Sequence, residues 1–90
     1  MGLSDEDLDQ LLDMGETVCR EGGSLLPALR PRFPGLVLSQ CPASDVVESP
    51  CRTGSILDLH LLDTRGHCWG ITSDREAATG VLFALHGRAP

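Results

Sequence analysis

The chain has 90 residues, of which 41% are apolar and only 3% aromatic, and its seven basic and thirteen acidic side chains give a net charge of -6. This length fits one small domain, with a modest core of Leu, Val, Ile and Ala around Trp69, Phe33 and Phe83. Lysine is absent and the arginines are scattered, so the clustered cations that bind a phosphate backbone or an anionic membrane are missing, which argues against nucleic acid and membrane partners.

The opening MGLSDEDLDQ is acidic and lacks an apolar run, so it fits neither a signal peptide nor a transit sequence. No segment approaches the length of a membrane span, and the expected setting is cytoplasmic, of bacterial type. Ser4 followed by Asp5, Glu6 and Asp7 reads as a capped helix start, with carboxylates facing the positive end of the dipole. Leu8, Leu11, Leu12, Gly15, Val18 and Cys19 continue as one apolar stripe, predicting a helix over 4–21 that Gly22 and Gly23 stop. Asp9, Asp13 and Glu16 fall on the outer face and read as a solvated surface.

Residues 24–33 predict a second, short helix, cut or kinked by Pro31. Pro34 and Gly35 then turn the chain into a strand over 36–40. Residues 41–54 hold two prolines and no sustained period, and read as a long loop. A hairpin follows, 55–62 and 67–72, with Asp63-Thr64-Arg65-Gly66 as a type I turn whose glycine takes the left-handed conformation. Placing Asp63 opposite His67 sets Leu61 against Trp69 and Leu59 against Ile71, which puts Leu57, Leu59, Leu61, Trp69 and Ile71 on the core face. Ser73 and Glu76 have the spacing of a capping box, and Ala77, Ala78, Val81, Leu82 and Leu85 form a stripe, predicting a helix over 74–86 with a frayed tail at 88–90. The expected fold is a single α+β domain, α-α-β-β-β-α, with a three-stranded antiparallel sheet and helices packed on one face.

Cysteines 19, 41, 51 and 68 are even in number, but nothing indicates secretion and their spacing matches no disulfide scaffold, so they read as free thiols. Adjacent His67 and Cys68 point to opposite faces of a strand and make no dyad. His60 and Cys68, in contrast, fall on one face at a reachable diagonal. Cys41 and Cys51 would complete a Cys3His set, suited to zinc or an iron-sulfur centre, if the 41–54 loop folded across that face. No set of base, orienter and oxyanion donors accompanies a nucleophile, so no catalytic residues are assigned and an enzyme is not expected. The sheet face turned away from the helices would carry Val37, Ile56 and Leu62, an apolar patch suited to a protein partner or a homodimer.

The residues FPG (33 to 35), HC (67 and 68), T-x-D (72 to 74) and AATG (77 to 80), spread over roughly residues 29 to 85, resemble a family of small uncharacterised proteobacterial proteins associated with nitrogen-fixation gene clusters. That resemblance implies an accessory protein in nitrogenase-related metabolism and carries no activity over to any residue. The leading expectation is a small acidic accessory or protein-binding protein. The alternative is a metal-binding or iron-sulfur-handling protein using Cys41, Cys51, His60 and Cys68.

Overall fold

A computed structural model describes residues 3–86 and shows two α-helices and a five-stranded mixed sheet. The expected tail at 88–90 lies outside the described residues. Helix α1 (Asp5–Arg20) begins with a reciprocal cap: Ser4 Oγ accepts from the Asp7 amide at 3.0 Å, and Asp7 Oδ2 accepts from the Ser4 amide at 3.2 Å. It ends where Gly22, at φ 76°, lets its own amide reach the Cys19 carbonyl and the Gly23 amide reach that of Val18. Helix α2 (Leu25–Leu29) runs into a 3-10 turn at Arg30–Arg32, where Pro31 sits.

Strand β1 (Val37–Pro42) starts one residue later and ends two residues later than the expected 36–40. The supposed loop that follows contains a 3-10 turn (Ala43–Asp45) and a short strand, β2 (Arg52–Thr53). Strands β3 (Leu57–Asp63), β4 (Gly70–Thr72) and β5 (Gly80–Leu85) complete the sheet. β5 lies in its centre, parallel to β1 and antiparallel to β3, while β2 and β4 both pair with the far edge of β3.

The largest correction is β5, expected as the body of a terminal helix. Residues 81 to 85 are all apolar, which satisfies a helical stripe but equally suits a central strand, and here Val81, Phe83 and Ala84 are buried. Gly80 decides locally, because a β-carbon there would stand 2.6 Å from the Val37 carbonyl oxygen; only glycine lets β1 approach so closely. The Ser73-x-x-Glu76 motif caps no helix. Thr72 Oγ1 accepts from the Asp74 amide and Asp74 Oδ1 from the Glu76 amide, so the segment folds as successive side-chain-closed turns.

The hairpin register is also corrected. Leu61 pairs with Thr72, three residues beyond the expected Trp69, and Asp63 pairs with Gly70. An odd shift reverses the faces. Ile71 therefore lies opposite Leu62, and Trp69 leaves the sheet with 55% of its surface exposed. The tight turn fails because its residues find other partners: Asp63 takes both ends of the Arg65 guanidinium, at 2.9 and 2.7 Å, while the Thr64 amide and hydroxyl engage Thr79 Oγ1. Gly66 stays outside the left-handed region, where Gly22 is the one described glycine.

Both helices cover one face of the sheet. Leu11, Leu25 and Leu29 pack with Leu38, Leu57, Leu59, Val81 and Phe83, and a smaller group joins Leu8, Leu61 and Ala78. Glu16, expected on a solvated face, instead reaches the start of β3. Its Oε2 accepts from the amides of Ile56 (2.7 Å) and Leu57 (3.3 Å), and its Oε1 from Ser55 Oγ (3.2 Å). Arg52 fastens β2 to the same helix through Asp5 at 2.7 Å and Asp9 at 3.2 Å.

Candidate functional site

Because β2 faces Asp58 and Leu59 while β4 faces Leu61 to Asp63, the shared edge of β3 has a gap at His60. A cleft of about 500 Å³ opens there, with residues 48–51 on one bank, 71–73 on the other, and His60 and Leu61 between them. Pro50, Leu61 and Ile71 supply apolar wall, Ser49, Thr72 and Ser73 hydroxyls, and Glu48 the one charged group of the lining. A more open hollow of about 700 Å³ adjoins it through Ile71 and Thr72 and is lined by Asp63, Arg65 and Cys68.

His60 is the unusual member of the cleft. Only 3% of it is exposed, and its Nδ1 is buried with no hydrogen-bond partner. Burial pushes its pKa below the ordinary histidine value, against the opposing pull of Asp58 and Glu48, so the ring is neutral near pH 7. A neutral imidazole offers one donor and one acceptor nitrogen, and leaving one buried and unpaired costs about 1–3 kcal/mol.

The four residues proposed as metal ligands are not gathered. Cys41 shares the outer sheet face with His60, but it pairs with Ala84 whereas His60 pairs with Leu82, and β5 separates the two strands. Two strand spacings alone amount to roughly 10 Å. Cys51 packs against Leu8, Leu61 and Ala78 and also lines the cleft. Cys68 is exposed and lines the neighbouring hollow. Among the described residues, no group of three or more His, Cys, Asp or Glu side chains is placed to hold a metal ion. Burial raises the thiol pKa values of Cys19 and Cys41, which keeps both protonated at neutral pH.

Of the three residues expected to form an apolar outer patch, Val37 and Leu62 lie on either side of Gly80 in the sheet register. Leu62 is 5% exposed and so presents no open surface, Val37 is half-buried on β1, and Ile56 is half-buried at the entry to β3. Among the described residues, the exposed large apolar side chains are Val47, at 95%, and Trp69. Val47 immediately precedes the first bank of the cleft and Trp69 is two residues from Ile71 on the second. Neither was singled out from the sequence as an interaction residue; the signal available for Val47 was its place in a long loop.

The model of a family of unknown function, DUF6129, matches residues 9–86. The chain belongs to that family. The match takes in most of α1 and the whole 41–54 segment, which lie largely outside the motifs of the sequence resemblance. No curated protein and no solved structure matches the chain. No helix among the described residues is long and apolar enough to cross a membrane.

Proposed function

We propose that this DUF6129 protein is a small accessory protein that binds another protein over the β2–β4 gap. The observation that carries the reading is the exposure of Val47 and Trp69, which adjoin in sequence the two banks of a part-apolar cleft. Exposed aromatic and aliphatic side chains beside a concave, part-apolar surface are the usual anchors of a protein contact. A cytoplasmic setting and a link to nitrogen fixation, both read from the sequence, belong to this proposal. A second copy of the chain is the competing occupant.

A metal-handling role keeps one local support, which is that Cys51 and His60 line the same cleft. Native mass spectrometry of protein isolated anaerobically from its own cells separates these readings. A stoichiometric complex with a different protein, lost in Val47→Asp/Trp69→Ala, supports the proposal. A homodimer or a metal-loaded monomer overturns it.

A further inference from the structure

We propose that Asp5 is a positioning residue of the cleft: one oxygen of its carboxylate ties the bank that ends at Arg52 to the bank that runs on to Arg75, and so sets the width at which the partner is bound. The inference rests on the protein-binding reading and adds what fixes the shape of the binding surface.

The two banks join the sheet separately. The first hangs on β3 through β2, where the Cys51 amide donates to the Leu59 carbonyl at 2.7 Å, and the second through β4, which pairs with Leu61 to Asp63. β2 and β4 each pair with β3 and not with one another, so the sheet ladder does not fix their separation. The first turns of α1 span them instead. Asp5 Oδ1 accepts from Arg52 Nη2 at 2.7 Å and from Arg75 Nη2 at 2.5 Å. One turn on, Leu8 packs with Leu61, with Cys51 of the first bank and with Ala78, which follows the second, so α1 touches both sides through an apolar contact and a charged one. The two guanidiniums, Arg75 foremost, hold the Asp5 carboxyl below its ordinary value and keep it charged at neutral pH. Arg52 also binds Asp9 at 3.2 Å and, through Nη1, the Cys51 carbonyl at 3.1 Å, and it keeps both when Asp5 is changed. The second bank, held through Arg75, is therefore the one that loss of Asp5 releases most. Exposed ion pairs add little to global stability, but they weigh on the local opening of a segment as short as the three-residue β4.

The test compares the full chain with Asp5→Asn, Asp5→Glu, Arg75→Gln and the double variant Asp5→Asn/Arg75→Gln. Amide hydrogen exchange of the free protein reads the banks, and native mass spectrometry of protein isolated from its own cells reads the heteromeric complex. Asp5→Asn and Arg75→Gln should each speed exchange across β4 and residues 73–78 about fivefold, the upper range for an exposed ion pair. The Ile56 and Leu57 amides, held by Glu16, should exchange as in wild type, and the melting temperature should move by less than about 5 °C. The double variant should exchange no faster than Asp5→Asn alone, because both changes remove the same bond. The complex should weaken about fivefold in Asp5→Asn and recover in Asp5→Glu, which keeps the carboxylate. Unchanged exchange at β4 in Asp5→Asn, additive effects in the double variant, or a complex that survives Asp5→Asn at full strength would overturn the inference. The last result, with the complex still lost in Val47→Asp/Trp69→Ala, leaves the protein-binding reading standing and removes only the role of Asp5.

Discussion

Replacing Glu16 by alanine should be among the most damaging single changes to this fold. Its carboxylate, with only 12% of the side chain exposed, accepts from Ser55 Oγ and from the Ile56 and Leu57 amides, joining α1 to the chain just where β3 begins. A hydrogen bond to a charged acceptor contributes about 1.5–3 kcal/mol, but three donors sharing one carboxylate are not additive, so the expected loss is about 3 kcal/mol. At about 4–8 °C per kcal/mol for a domain of this size, the melting temperature should fall by roughly 10–25 °C. Urea and thermal unfolding followed by far-UV circular dichroism measure both quantities. Glu16→Gln keeps an acceptor oxygen without the charge and should lose an intermediate amount.

The pH dependence gives the same claim a second handle. Burial opposes the Glu16 charge, but the Ile56, Leu57 and Ser55 hydrogen bonds outweigh it and hold the pKa below the ordinary value of 4.5. A depressed carboxylate contributes its stability in full above the unfolded pKa and loses it as pH falls through the folded one. The gap between wild type and Glu16→Ala should therefore be constant near pH 7 and close in acid below 4.5. A loss under about 0.5 kcal/mol, the size of an ordinary surface substitution, would refute the reasoning.

Gly80→Ala should cost about 1–3 kcal/mol in urea unfolding, because the new methyl group meets Val37 backbone and side chain at under 3 Å and must push β1 away; an unchanged midpoint would contradict the close approach. His86 Nε2 donates to Asp58 Oδ1 across 3.0 Å, and this bond raises its pKa above 6.5. A raised histidine stabilises fully below its unfolded pKa and ceases to do so as pH rises through the folded value, so stability should decline above pH 6.5, and His86→Phe should flatten that slope. His60→Leu should match or exceed wild-type stability by about 1 kcal/mol, since it removes an unpaired buried nitrogen. The opposite sign applies to its pH profile: the lowered pKa of His60 means wild-type stability falls as pH drops below 6.5, and the leucine variant should lose that component.

Local chemistry was legible in the sequence wherever neighbouring residues act on each other. The Ser4 cap, the Gly22 stop, the short helix interrupted at Pro31 and the apolar alternation of Leu57, Leu59 and Leu61 all depend on near neighbours, and the structure contains each of them. Position in the sheet was harder to read. A strand covered on both faces has no period of two, so residues 81–85 could not be told from a helical stripe, and the shortage of helix-breaking residues around Gly80 concealed that glycine's role. Trp69 was misplaced because Asp63 and Thr64 are held by Arg65 and Thr79, of which Thr79 is remote in sequence, and the resulting register shift moved an expected core residue to the surface.

The site follows the same division. His60 was singled out for its reach across the sheet face, and Cys51 as a companion, yet the gap between β2 and β4 that unites them depends on pairings no spacing reveals. Glu16 carried no signal at all: its place on the polar side of α1 is what a solvated carboxylate would show, and its partners lie 39 to 41 residues away.

The central claim, that partners bind over the cleft flanked by Val47 and Trp69, is tested most directly by photo-crosslinking in living cells with benzoylphenylalanine placed at position 69 and, for comparison, at position 13 on α1. The account expects one discrete heteromeric adduct from position 69, abolished by Val47→Asp, and none from position 13. The same adduct from both positions, or only crosslinked copies of the chain itself, would contradict it.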